Sequence, residues 1–153
     1  MAMIDGVRTK QLKLIPDERG FLMEILRSDD EMFVQFGQVY VTVAFPGVVK
    51  AWHRHRKQYD NWVVLGGMAK IVLYDDREGS STHGEINEFF LGSYNRMMVR
   101  IPPLIWHGFK CIGEKEVLIL NCPSELYNYK EPDEQRLPAH DGPIPYDWSR
   151  KDG

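Results

Sequence analysis

Apolar residues in this chain come in short runs, each cut by glycine or proline, and almost nowhere do they repeat with a helical period. Val7 to Leu14 alternates in the manner of a half-exposed strand, and Pro16 and Asp17 stop it. A turn at Gly20 leads into a second run ending at Arg27, and Gln38 to Phe45 alternates again, with Gln38, Tyr40 and Thr42 on one face. Further strands are expected at Trp62 to Leu65, Met68 to Tyr74, Ile86 to Leu91, Met97 to Ile101 and Glu116 to Leu120. One short helix is expected at Asp29 to Phe36, capped by Ser28 or Asp29 and ended by Gly37. Gly66-Gly67 reads as a hairpin turn. Eight or more short strands predict an all-β sandwich or barrel, of which the jelly roll encloses a pocket between its sheets.

The chain has 153 residues, enough for one domain that buries about two thirds of its unfolded surface. A net charge of -3 gives no reason to expect nucleic acid or an anionic membrane as partner. No apolar run approaches a membrane span, and the N-terminus lacks a signal-peptide pattern. Cys111 and Cys122 read as buried free thiols, which suits a cytoplasmic protein. From Pro123 onward, five prolines interleave with Tyr127, Tyr129, Tyr146 and Trp148. Such a tail, 123–153, cannot be a central strand; it is expected to pack across the single domain of 1–153 or onto a partner subunit.

The chemistry concentrates in residues 47–67. His53 and His55, two residues apart, should project together from a strand end, with Asp60 after a polar bend. His107, enclosed by Trp106 and Phe109, is expected to be partly desolvated, which favours its neutral form. Imidazoles and a carboxylate converging in this way serve either general-base chemistry or a metal ion.

The order Gly47, His53, His55, Asp60, Gly67 resembles the first motif of the cupin superfamily, with aspartate in the usual glutamate place. Pro102 to His107 resembles the second, with Leu104 where glycine is usual. Within the cupins, the chain is similar to the dTDP-4-dehydrorhamnose 3,5-epimerase family. The matching segments include Asp17-x-Arg19-Gly20-Phe21, Gln38, Gly47 to His53, Asp75-x-Arg77 and Ser80-x-Thr82-x-Gly84. They continue through His107-Gly108-Phe109, Pro132-x-Glu134 and Asp147-Trp148.

The resemblance implies a cupin jelly roll and a homodimer whose N-terminal strands contribute across the interface. It also implies proton abstraction alpha to the keto group of a 4-keto-6-deoxy sugar nucleotide. On that pattern His53 is the base, Asp141 orients it, and His107 is the pocket histidine. Arg19, Glu24, Gln38 and Lys50 hold the nucleotide. No cofactor is required.

Three positions depart from the family. His55 stands where glutamine is common, Asp60 falls on the lysine that stabilises the enolate, and the pocket position Asn121 falls on the tyrosine that reprotonates the ring. The same departures raise an alternative: His53, His55, Asp60 and His107 resemble the ligand set of metal-binding cupins, suited to one divalent transition metal ion. A non-catalytic sugar-binding protein that retains the pocket is the third possibility.

Overall fold

The computed structural model describes residues 2–153. Its strands, in chain order, begin with β1 (Arg8–Gln11), β2 (Leu14–Asp17), β3 (Gly20–Met23) and β4 (Tyr40–Ala44). Next come β5 (Val49–Arg54), β6 (Asp60–Gly66), β7 (Met68–Tyr74) and β8 (Ile86–Gly92). The last four are β9 (Met97–Ile101), β10 (Trp106–Cys111), β11 (Val117–Asn121) and β12 (Gln135–Arg136). One five-stranded sheet runs β1-β9-β6-β11-β4 and faces a second that runs β12-β5-β10-β7-β8. This is the jelly-roll arrangement of a cupin, all-β as the punctuated apolar runs require.

The two sheets close on a core of Trp62, Val64, Ile71, Leu73, Phe109, Val117 and Ile119, all nearly solvent-free. Fully burying one such aliphatic side chain is worth about 1.5–3 kcal/mol. β7 shows why its alternation is indistinct in sequence. Ala69, Ile71 and Leu73 enter the core, while Val72 on the outer face is covered by Trp52, Ile144 and Trp148 of a second cluster. Both faces are dry, so both read as apolar. The covering residues Ile144 and Trp148 come from the proline-rich tail, which lies on its own barrel along this stretch.

Two expectations fail for identifiable reasons. Asp29 to Phe36 forms no helix: Asp29 to Met32 lie in turns, and Phe33 to Phe36 run on without regular structure. The Asp30 carboxylate accepts from the Arg27 backbone N–H at 2.8 Å and from Lys10 Nζ at 2.6 Å, which pins the segment as a turn against β1. Gly66-Gly67 does not close a hairpin, because β6 and β7 belong to different sheets. The chain turns a barrel corner there. Gly67 takes φ 74°, and a Cβ on it would stand 2.5 Å from the Glu116 carbonyl oxygen. The corner needs glycine for both reasons.

β2 and β3 form a separate two-stranded sheet. All four residues of β2 are exposed, as are Phe21 and Leu22 on β3.

Candidate active site

The barrel opens between one edge of each sheet. β4 ends the first sheet, and β5 with the short β12 ends the second. A cleft of about 350 Å³ lies there, lined by Tyr40, Thr42, Lys50, His53, Trp62 and Arg136 among others. A second lobe of about 280 Å³ shares Tyr40, His53, Glu134 and Arg136 with it and extends to Gln38, His55, Gln58 and Tyr127. Together the lobes fall in the usual size range of a small-molecule site.

A β-bulge shapes the β5 wall. His53 pairs with His107 and Lys50 with Phe109, so Gly108 alone faces both Ala51 and Trp52. The extra residue lets Lys50 and His53, three apart, both reach the cleft, which a regular strand forbids. A Cβ on Gly108 would lie 2.3 Å from that of Ala51, so the bulge closes only over glycine.

Two of the three imidazoles meet one carboxylate. Asp60 projects from β6 on the first sheet and is 1% exposed. Its Oδ2 lies 3.2 Å from His55 Nε2 and 2.9 Å from His107 Nε2, without the angles of a good hydrogen bond. Its Oδ1 accepts from Gln58 Nε2 at 2.7 Å and Asn121 Nδ2 at 2.8 Å. The far nitrogens of both rings are fixed by backbone carbonyls: His55 Nδ1 against Asp133 at 2.5 Å and His107 Nδ1 against Ile105 at 2.8 Å. Each Nδ1 therefore carries hydrogen. Each Nε2 faces an anion, either as a protonated donor or as a lone pair that needs a cation between.

Burial opposes charge on His55, yet the adjoining Asp60 carboxylate and the Asp133 carbonyl lift its pKa to about 9. Burial also penalises the Asp60 charge, but His107 and His55 hold that carboxyl well below the ordinary range. His53 behaves oppositely. Enclosure in the wall, reinforced by His107, pushes it well below 6.5, and Asp60 only partly opposes. Its ring stands edge-on to His107 at 4.2 Å between centroids. Among the described residues no hydrogen bond engages either nitrogen of His53, and the ring is neutral at pH 7. Asp60 itself sits behind the imidazoles, outside the lining of the cleft, so its charge is turned away from a bound substrate.

The expected site residues separate into three groups. His53, Lys50 and Gln38 line the cleft; Lys50 Nζ donates to Thr42 Oγ1 at 3.1 Å, and Gln38 Oε1 accepts from the Tyr127 N–H at 2.8 Å. His107 and Asn121 are buried immediately behind it. Arg19 and Glu24 lie outside, exposed and paired with Asp17 and Arg27 respectively. The expected pairing of Asp141 with His53 does not form. Asp141 is exposed, in a left-handed turn at φ 56°, and among the described residues no ion pair or hydrogen bond joins it to His53. The proline-rich tail passes over the outer face of the sheet there, and Asp60 is the carboxylate on the His53 side.

Tyr40, Glu134 and Arg136 were not singled out as site residues. Tyr40 shares a strand face with Gln38 and Thr42, a signal present in the alternation of β4. Glu134 stands in the Pro132-x-Glu134 segment of the family resemblance, whereas Arg136 leaves no such trace, because β12 is two residues long in a proline-rich stretch.

The geometry of the donor atoms also fits a metal ion. One ligand atom from each of His53, His55, Asp60 and His107 lies within 4.8 Å of the others. Bonds of about 2.1 Å at octahedral or tetrahedral angles set neighbouring donors about 3.0–3.4 Å apart, close to the two separations at Asp60 Oδ2. Histidines whose other nitrogen is held by a carbonyl are the usual form of such ligands.

Residues 15–135 match the family model described as the polysaccharide biosynthesis C-terminal domain. A probable low-salt glycan biosynthesis epimerase of Haloferax volcanii is 44% identical over 151 residues, covering 97% of each chain. A spore coat polysaccharide biosynthesis protein of Bacillus subtilis is 41% identical over 147 residues, covering 96% of this chain and 97% of that one. The crystal structure of a dTDP sugar isomerase from Desulfovibrio desulfuricans superposes with a TM-score of 0.90 at 36% identity, over 97% of this chain and 94% of the other. The chain belongs to the polysaccharide biosynthesis C-terminal domain family and, within the cupins, to the sugar epimerases of the dTDP-4-dehydrorhamnose 3,5-epimerase type.

Proposed function

We propose that the protein epimerises a 4-keto-6-deoxy sugar nucleotide in glycan biosynthesis, with His53 removing a proton alpha to the keto group. The observation that carries this reading is His53 itself: neutral, free of hydrogen bonds, and facing a cleft of sugar size. A base must be unprotonated, with the accepting nitrogen free, before the substrate arrives. Asp60 would hold the His55–His107 wall against which His53 stacks. Lys50 and Arg136, the lysine and arginine that reach the cleft, would take the charge of the enolate and of the diphosphate. The test is dTDP-linked 4-keto-6-deoxyglucose in deuterated buffer, followed by NMR. Deuterium should enter carbon 3 or carbon 5. Absence of exchange with both dTDP- and UDP-linked substrates removes the reading.

The working form is a homodimer under this proposal. A two-stranded hairpin is marginal in water by itself, and Leu14, Ile15, Phe21 and Leu22 are exposed on β2 and β3. A second copy of the chain covering this hairpin would bring Arg19 and Glu24 into an interface of above roughly 2,000 Å². Light scattering should give twice the 17.8 kDa chain mass at micromolar concentration, and a monomer would overturn the assignment.

A second reading has a specific observation in its favour: the buried His55 Nε2, Asp60 Oδ2 and His107 Nε2 lack hydrogen-bond partners. These three, with His53 as the fourth ligand, would hold a divalent transition metal ion, which when bound supplies Lewis acidity toward a carbonyl oxygen. Elemental analysis of the purified protein decides between the two. Near one equivalent of metal, lost in His55→Ala and in Asp60→Ala, favours this reading; below about a tenth of an equivalent removes it.

A further inference from the structure

Inversion at a carbon needs a proton taken from one face and another delivered to the opposite face. His53 belongs to β5 on the second sheet, so the donor is to be sought on the facing wall, which β4 of the first sheet provides. Among the described residues, that edge offers two hydroxyls to the cleft, those of Tyr40 and Thr42. Thr42 Oγ1 already accepts from Lys50 Nζ, and an aliphatic hydroxyl is the weaker acid by far. Tyr40 is different.

The orientation of the Tyr40 hydroxyl follows from the network behind it. Asn121 is solvent-free and stands directly across from Tyr40 in the β11–β4 pairing. Its Oδ1 accepts from the Asn61 backbone N–H at 3.0 Å, a donor that leaves no ambiguity about the amide's direction. Its Nδ2 therefore points the other way, donating one hydrogen to Asp60 Oδ1 at 2.8 Å and the other to Tyr40 Oη at 3.0 Å. Tyr40 Oη is thus an acceptor from Asn121. Its own proton has no acceptor among the described residues and is free to turn into the cleft. The phenol is 38% exposed as a residue, so a ligand can reach it.

We propose that Tyr40 is the acid that protonates the substrate carbon on the face opposite His53, with Asn121 as its positioning residue; this rests on the epimerase reading. The substrate C–H bond breaks as His53 gains an N–H bond, leaving an enolate. The Tyr40 O–H bond then breaks as a C–H bond forms on the other face. Imidazolium and phenolate return to neutrality by proton exchange with solvent, and nothing is oxidised or reduced. Burial raises the Tyr40 pKa to about 12, with Asp60 adding to it, so the phenol carries its proton at neutral pH. The Asn121 N–H that it accepts then stabilises the phenolate left after transfer.

The experiment separates exchange from inversion. In deuterated buffer with dTDP-linked 4-keto-6-deoxyglucose, wild type should give deuterated, inverted sugar. Tyr40→Phe keeps the ring and loses the proton. It should still wash deuterium into the same carbon with retained configuration, through His53, while the inverted product falls by at least about 10²-fold. Asn121→Ala should lower kcat for inversion about tenfold with KM changed less than about threefold, and with exchange preserved; circular dichroism checks the fold of each variant. Inverted product within threefold of wild type in Tyr40→Phe overturns the role of Tyr40 alone. Wild-type protein that exchanges no deuterium overturns the epimerase reading and this one with it.

Discussion

The two walls of the cleft are built on different plans. On the second sheet, His53 sits beside a strand bulge, and its neighbours His55 and His107 are anchored through Nδ1 to main-chain carbonyls. On the first sheet, Tyr40 is held by another side chain, Asn121, which is held in turn by Asp60 and a backbone N–H. Backbone anchors fix an imidazole wherever the strand goes. A side-chain relay fixes a hydroxyl only while every member is present. The imidazole wall should therefore tolerate change in its surroundings, and the tyrosine wall should not.

The largest effect that can break this contrast is at His53. His53→Ala should lose deuterium exchange and inversion together, by about 10²–10⁴, where Tyr40→Phe loses inversion alone. Loss of the two in parallel in both variants would mean that the walls do not divide the work. Next comes Asp60, which joins the walls. Asp60→Ala leaves the buried His55 and His107 rings and the amides of Gln58 and Asn121 without their acceptor. It should cost about 3–5 kcal/mol of stability in denaturant melts. A loss under about 1 kcal/mol would show the imidazole wall standing without it.

The two walls differed as much in how far they could be read from sequence. The spacing of His53, His55, Asp60 and His107 brought out the imidazole cluster, because motif residues on or beside strand ends are constrained by local geometry. The Tyr40–Asn121 pair depends on which strands become neighbours and in what register, and alternation alone carries neither. The same blindness accounts for Gly66-Gly67, whose local chemistry suits a hairpin but whose flanking strands join opposite sheets. Asp141 was placed by position in a tail whose path over the barrel is set by Ile144 and Trp148 packing on Trp52. β7 and β9, by contrast, were delimited to the residue, since glycine, proline or charged turns bound each of them.

A smaller effect sharpens the role of register. The double exchange Tyr40→Asn with Asn121→Tyr moves the phenol across one strand pair. It should recover about tenfold of the inversion lost in Tyr40→Asn alone, about 1.4 kcal/mol in barrier. No recovery would mean that the hydroxyl must come from β4. Leu104 tests the imidazole wall's backbone anchoring. It holds φ 67°, and its N–H donates to the His55 carbonyl at 2.7 Å. Leu104→Gly relieves the left-handed strain at some cost in unfolded-chain entropy. It should raise stability by about 0.5–1 kcal/mol with activity unchanged. The least effect is expected at Asp141. Asp141→Ala should change stability by under about 0.5 kcal/mol and leave exchange intact; a clear loss of exchange would return the orienting role to the tail.

The bulge opposite Gly108 sets the terms on which this cleft can evolve. Lys50 and His53 share a face only because β5 carries one residue more than its partner between them. Exchange of one side chain for another leaves that count untouched, so substrate preference can drift by substitution around a stationary His53. Loss of a single codon between Lys50 and His53 cannot be absorbed in the same way. The straightened strand would keep both residues inside, two apart, but would carry one residue where Ala51 and Trp52 now stand, drawing His53 a residue's length along the wall and loosening the tail's seat on Trp52. Lineages descended from such a protein should differ freely in the residues that line the cleft, and hardly at all in the length of this strand.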